Sequence, residues 1–107
     1  MRFLALDLSL VIIEQLEPLV RTLRTRDRRL ASHICDAASS VSLNLGEGSR
    51  RRGRDRTHLY RIAAGSAEEV RIALRVAVAW RHIDPKKTEA VLSDLDRLLA
   101  MLWGLTE

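Results

Sequence analysis

The sequence predicts an all-α protein, an antiparallel up-down-up-down bundle of four helices. Apolar residues recur every three or four positions in four separate stretches, the joints between these stretches are short, and no segment has the pattern of a strand. The chain has 107 residues, 47% of them apolar, which suits a single domain over residues 1–107 and is too apolar for a disordered chain.

The first helix is predicted over residues 4–24, because apolar positions from Leu8 to Leu23 follow steps of three and four. Pro18 lies inside this pattern. A proline within a helix removes one backbone hydrogen bond and crowds the preceding turn, at a cost of about 3 kcal/mol. We therefore expect either a kink at Pro18 or a helix that begins there.

The second helix is predicted over residues 28–46, from Leu30 to Leu45, with the same period. Small residues dominate it, so neighbouring helices can approach closely. We expect it to end at the segment Gly46-Glu47-Gly48, because glycine can adopt the left-handed conformation that closes a helix.

The third helix, predicted over residues 54–82, is the longest. Gly65 lies in its middle and costs about 1 kcal/mol relative to alanine, which suggests close packing against a neighbour. The dipeptide Asp84-Pro85 separates it from the fourth helix, predicted over residues 85–105. Aspartate is a preferred N-cap residue, and proline suits the first position of a helix.

The positive charge of the chain is concentrated in two short segments. The net charge is +4, from eighteen Lys or Arg and fourteen Asp or Glu. Residues 21–29 carry five Arg and one Asp and residues 50–61 carry six Arg and one Asp, so the remainder is acidic, at −5. We define a joint-1 cluster as Arg24, Arg26, Arg28 and Arg29, and a joint-2 cluster as Arg50, Arg51, Arg52, Arg54, Arg56 and Arg61.

In the predicted topology the first and third joints lie at one end and the second joint at the other. The two arginine clusters should therefore lie at opposite ends of a bundle at least about 30 Å long. Guanidinium groups offer a planar set of donors that matches phosphate oxygens, so each cluster could bind nucleic acid. The alternative is solvated charge at helix ends.

The sequence predicts no enzyme, no cofactor and no metal site. Nothing pairs a nucleophile with a base, and His33, His58 and His82 lack the spacing of metal ligands. The single Cys35 excludes a disulfide within the chain.

Membrane association and secretion are not expected either. No apolar run approaches the roughly 18 residues of a membrane span. The N-terminal segment has only Arg2 as a basic start and is interrupted by Asp7, which is unlike a secretory signal. A cytoplasmic protein is expected.

Two stretches resemble a known family. Residues 37–48, AASSVSLNLGEG, resemble the "aaSIPaNIAEG" segment of small bacterial four-helix bundle proteins encoded in intervening sequences of 23S ribosomal RNA genes, sometimes labelled S23 ribosomal proteins. Residues 59–70, LYRIAAGSAEEV, resemble the "fl.iArGS..El" helix of that family. Ser42 stands at the family's proline, Gly46 at its alanine and Ala64 at its arginine.

The resemblance implies an antiparallel four-helix bundle that assembles into a ring, commonly a homo-pentamer. It also implies a relation to the accessory variability determinant proteins of diversity-generating retroelements, which bind nucleic acid and partner a reverse transcriptase. The wide apolar stripes of the first and fourth helices agree with a ring, because large exposed apolar patches usually mark interfaces.

Two functions are compatible with these observations. The leading hypothesis is a non-enzymatic, oligomeric nucleic-acid-binding protein that favours RNA, with the joint-2 cluster contacting phosphates, Arg61 supporting it, and the joint-1 cluster forming a second surface. The competing hypothesis is an interaction scaffold that docks another protein, such as a reverse transcriptase, and pairs its arginines with acidic side chains.

Overall fold

The structure, a computed structural model, describes residues 3–107, so Arg2 of the N-terminal segment lies outside it. Four α-helices follow one another: α1 (Leu4–Leu23), α2 (Arg28–Ser49), α3 (Gly53–Ala79) and α4 (Glu89–Thr106). A one-turn 3-10 helix at Pro85–Thr88 precedes α4, and the described part of the chain contains no strand. The protein is therefore all-α, and it measures 42 × 22 × 21 Å.

Each helix packs against two others. The helix α2 contacts α1 and α3, and α4 contacts α3 and α1, so the buried side chains of all four helices form one core. The contact between α2 and α3 is the most extensive because it is rich in alanine, which lets two helices approach closely. These buried alanines are Ala31, Ala37 and Ala38 of α2 and Ala63, Ala64, Ala67, Ala73 and Ala77 of α3.

Hydroxyl groups connect the helices at the edges of this core. Ser9 Oγ lies 2.8 Å from Ser42 Oγ, between α1 and α2. Ser40 Oγ lies 3.0 Å from Ser66 Oγ, between α2 and α3. Small hydroxyl side chains satisfy one another here without separating the helices.

Both ends of the described chain meet the same turn of α3. The rings of Phe3 and Tyr60 have centroids 5.6 Å apart. Arg61 Nη2 donates to the carbonyl oxygen of Thr106 at 3.4 Å. The start of α1 and the end of α4 are thus both held against residues 60–61.

The helix α1 runs continuously through Pro18 and does not begin there. Both Pro18 and Glu14 are exposed, so the Glu14 carbonyl that loses its intrahelical hydrogen bond can bond water instead. Thr22 Oγ1 donates to the Pro18 carbonyl at 3.3 Å. An exposed position makes this proline tolerable inside the helix.

The glycines differ from the sequence prediction. The helix α2 continues to Ser49, beyond Gly46 and Gly48, and the left-handed glycine is Gly53, with φ of 58°. Gly48 serves a different purpose, because a Cβ there would lie 2.6 Å from Cε1 of the buried Tyr60. The close packing predicted for Gly65 is absent, since no atom lies within 4 Å of the place of its Cβ.

The Gly48→Ala variant is expected to lower the free energy of unfolding by about 1–2 kcal/mol, because the new methyl group must displace the Tyr60 ring. Gly46→Ala is the matched control, since no atom of the described chain lies within 4 Å of its Cβ position. Alanine should raise the stability at Gly46 by roughly 0.5–1 kcal/mol. Urea unfolding, monitored by circular dichroism, measures the free energy of unfolding of both variants. Equal changes at the two glycines would contradict the close contact between Gly48 and Tyr60.

The joint after α3 closes with an arginine where glycine is usual. The backbone N–H groups of Arg81 and His82 donate to the carbonyls of Val78 and Ala77, both at 2.9 Å, which is the Schellman pattern. Arg81 takes the left-handed position with φ of 62°. A non-glycine residue in this conformation costs about 1–2 kcal/mol.

The fourth helical segment starts at Asp84-Pro85, where the Asp84 carboxylate accepts a hydrogen bond from the Lys86 backbone N–H at 3.0 Å. The first turn is a 3-10 helix and α4 itself begins at Glu89. No helix among residues 3–107 combines the length and hydropathy needed to cross a membrane.

Candidate nucleic-acid interface

The two arginine clusters lie at opposite ends of α2. The joint-1 cluster spans the end of α1 and the first turn of α2, and the joint-2 cluster spans the end of α2 and the first turns of α3. The length of α2 separates them by about 32 Å, from a rise of about 1.5 Å per residue. The structure therefore does not bring them together within one chain.

Two arginines of the joint-2 cluster stabilise the bundle itself. Arg56 donates from Nε to the Gly48 carbonyl at 3.3 Å and from Nη2 to the Ser49 carbonyl at 3.2 Å. These carbonyls belong to the last turn of α2, which has no intrahelical donors for them. Arg61 donates to Thr106 as described above. Sequence reasoning assigned both arginines to phosphate contacts, because the positions of carbonyl groups are not visible in a charge pattern.

The other joint-2 arginines are more available. Arg51 forms an exposed ion pair with Glu47, with Nη2 and Oε1 2.7 Å apart. The hydrogen bond to Glu47, and then the charge of that carboxylate, raise the pKa of Arg51 above its ordinary value. Arg50, Arg52 and Arg54 are exposed, and no hydrogen bond or ion pair within residues 3–107 engages their side chains.

The joint-1 cluster is almost entirely unpaired. Arg24 Nη2 lies 3.7 Å from Cys35 Sγ, a weak contact. Arg26, Arg28 and Arg29 are exposed, and their side chains have no hydrogen bond or ion pair in the described chain. The adjacent carboxylate of Asp27 accepts instead from the Leu30 backbone N–H at 3.0 Å, as the N-cap of α2.

Cations occupy the wrong ends of two helices. Arg28 and Arg29 lie in the first turn of α2, which contains no acidic residue, and Arg54 lies in the first turn of α3. The helix dipole makes this end positive, so cations are disfavoured there, by up to about 1 kcal/mol each at an exposed site. Helix stability therefore does not explain these arginines, whereas an external anion would be attracted by both the side chains and the dipole.

The third joint adds cations that sequence reasoning missed. His82 Nε2 lies 4.0 Å from Asp27 Oδ2, which connects the third joint to the first. The exposed Arg81, Lys86 and Lys87 therefore lie at the same end as the joint-1 cluster, and no ion pair engages them within residues 3–107. They were missed because Asp84 and Pro85 interrupt this stretch, so no charge run appears. Adding the charges of joints predicted to share an end would have found them.

An apolar stripe on α3 faces solvent. Ile62, Ile72 and Val76 are exposed and share one side of the helix, in the series 62, 65, 69, 72, 76, in which Gly65 and Glu69 stand between the apolar residues. This is the spacing of a helix seam. Sequence reasoning expected such surplus apolar surface on the first and fourth helices, where Leu10, Val11 and Leu105 are indeed exposed, and it missed the stripe on α3.

No group of three or more His, Cys, Asp or Glu side chains that could hold a metal ion occurs within residues 3–107. Cys35 is a free, half-buried thiol. In the middle of the bundle, Arg71 forms ion pairs with Glu68 of its own helix and with Asp96 of α4.

Comparisons with known proteins agree with the family resemblance in the sequence. The family model of the 23S rRNA-intervening sequence protein matches residues 4–104. Among solved structures, a protein with unknown function from the S23 ribosomal protein family of Bacteroides thetaiotaomicron is 19% identical, with a TM-score of 0.87 over 96% of this chain and 98% of that chain. At this identity the likeness concerns the fold. The comparison with curated proteins found no match. The chain thus belongs to the 23S rRNA-intervening sequence protein family.

Proposed function

We propose that the protein is a non-enzymatic, oligomeric RNA-binding bundle. The observation that carries this proposal is the set of exposed arginines at the two ends of α2 whose side chains have no partner within residues 3–107. Three of them, Arg28, Arg29 and Arg54, lie on the first turns of α2 and α3, where the helix dipole disfavours cations. A polyanion would offset that repulsion and would receive bidentate hydrogen bonds from each guanidinium. Six exposed arginines carry the phosphate contacts: Arg26, Arg28 and Arg29 at one end, and Arg50, Arg52 and Arg54 at the other.

The helices are proposed to form an up-down antiparallel bundle. Ser9 of α1 contacts Ser42 of α2, whereas Arg24, directly after α1, contacts Cys35, earlier in α2. Residue numbers thus rise along one helix and fall along its neighbour. Arg56 and Arg61 of the joint-2 cluster hold the end of this bundle together and support binding indirectly, whereas Arg51 pairs with Glu47 at the end of α2.

The functional unit is proposed to be a ring of copies, a homo-pentamer. The exposed stripe of Ile62, Ile72 and Val76 supports assembly, because surface of this kind on a small protein usually marks an interface. A ring repeats each arginine cluster around a rim. Several weak contacts to one RNA then act together and raise the overall affinity.

Salt dependence of RNA binding tests the proposal. The logarithm of the RNA association constant should fall linearly with the logarithm of the salt concentration between about 0.05 and 0.2 M, because each neutralised phosphate releases a counterion. Each contact with a single strand contributes about 0.7 to the magnitude of this slope. Two arginine-to-serine changes in a cluster should therefore reduce the magnitude of the slope by about 1.4. The cluster variants are R28S/R29S and R52S/R54S, and the charge-matched control is R75S/R97S.

The control should bind almost as the wild type does, since neither of its arginines belongs to an arginine cluster. Fluorescence anisotropy with labelled RNA measures all four proteins. Binding that is insensitive to salt, or equal losses in the control and the cluster variants, would contradict the proposal.

A protein-docking scaffold is the second candidate, and the apolar stripe on α3 is the observation that favours it. Here a partner such as a reverse transcriptase would cover Ile72 and Val76. Recovery of that partner after nuclease treatment, lost in I72E/V76E and retained in both arginine variants, would favour docking over RNA binding.

A further inference from the structure

Arg81 has a backbone conformation that the Schellman closure of α3 requires and that glycine would adopt without strain. It holds the left-handed position of the Schellman motif with φ of 62°. No hydrogen bond or ion pair of its guanidinium occurs within residues 3–107. A strained residue without an offsetting contact points to a function of the side chain itself.

The residue before it presents an aromatic ring to solvent. Trp80 is 68% exposed. Its ring is inclined by 20° to the His82 ring, with centroids 6.4 Å apart. His82 is half-buried and lies 4.0 Å from Asp27, so the indole is positioned at the end that carries the joint-1 cluster.

We propose that Trp80 stacks on an unpaired base of single-stranded RNA while Arg81, Lys86 and Lys87 bind the phosphates on either side of that base. This rests on the proposed RNA binding and adds the class of RNA and the end that recognises it. Base stacking on an exposed aromatic ring beside cations is the common device of single-strand binding. A duplex hides its base faces within the stack, so the site would favour single strands.

At the other end, where the joint-2 arginines lie, no exposed aromatic ring of the described chain is adjacent in the sequence to a cation. Tyr60 is only 5% exposed, because its ring covers Gly48. Trp103 is exposed, but no Lys or Arg follows Arg97 in the sequence. A base on Trp103 would therefore find no flanking cation from its own helix.

The two tryptophans allow each end to be observed separately by fluorescence, since the chain has no others. In W103F all tryptophan emission comes from Trp80, and in W80F it comes from Trp103. A single-stranded oligouridylate should quench W103F and leave W80F unchanged. A blunt-ended RNA duplex of the same length should quench neither protein, even where anisotropy reports binding.

Stacking should also contribute to affinity. The W80A variant is expected to bind the oligouridylate about 5- to 150-fold more weakly, and W103A should bind as the wild type does. If RNA binds but Trp80 is not quenched and W80A binds normally, the stacking site is wrong and RNA binding stands. If the wild type binds no RNA, both proposals are wrong.

Arg81 offers a test in which stability and binding move in opposite directions. R81G relieves the backbone strain and should raise the melting temperature by several degrees. It removes one cation, so affinity for the oligouridylate should fall several-fold and the salt slope should drop by about 0.7. R81K retains both the charge and the strain and should match the wild type in binding. Normal binding by R81G would remove Arg81 from the site.

Discussion

The variant I72E/V76E is expected to be monomeric and to bind RNA roughly 100-fold more weakly than the wild type, although its arginines are unchanged. Both residues lie on the exposed apolar stripe of α3. Carboxylates there would have to be buried without partners in an interface between copies, which is strongly unfavourable. Loss of assembly would remove the multivalent contribution to RNA affinity, which typically amounts to a factor of about 10²–10⁴.

Light scattering after size-exclusion chromatography measures the assembly, and anisotropy measures RNA binding. The matched control is A90E/S93E, which adds the same charge at exposed positions of α4. It should leave both assembly and binding nearly unchanged. A monomeric wild type, or a variant that still assembles, would contradict the role of this stripe.

Leu74→Ala is expected to lower the free energy of unfolding by about 2–5 kcal/mol, because it leaves a cavity in the core. Leu74 has no exposed surface and lies on the face of α3 opposite the stripe. For a domain of this size the loss is a large part of the total stability, which is about 5–15 kcal/mol.

Leu43→Ala is the control, since Leu43 is 72% exposed and its truncation should cost less than about 0.5 kcal/mol. Urea unfolding of both variants must use the same protein concentration, because the proposed assembly would make the apparent stability depend on concentration. Equal losses at Leu43 and Leu74 would contradict the burial of Leu74 in the core and the exposure of Leu43 on α2.

The fold was largely predictable because each helix carries its apolar residues on one face, and side chains from Leu16 to Leu102 occupy that face as expected. Three local features were not predictable. Arg81 takes a left-handed conformation that its residue type does not suggest. Position 48 requires a residue without a Cβ because the ring of Tyr60, on another helix, lies against it. Gly65, in contrast, lies on an open surface. Each depends on what a neighbouring helix places nearby.

The candidate interface was predictable in its position along the sequence and less so in its composition. Runs of arginine mark both ends of α2. Arg56, however, is engaged by two carbonyls at the end of that helix, and this becomes visible only when the helix end is placed in space. Lys86 and Lys87 join the opposite end through the contact between His82 and Asp27, which lies between segments far apart in the sequence.

The position of both chain ends against residues 60–61 limits how the protein can be fused to other domains. Phe3 meets Tyr60, and Thr106 meets Arg61. A reporter domain or affinity tag attached at either end therefore emerges beside the joint-2 cluster and leaves the Trp80 end free. Fusions suit the study of Trp80, whereas work on Arg50, Arg52 and Arg54 requires the tag to be cleaved off.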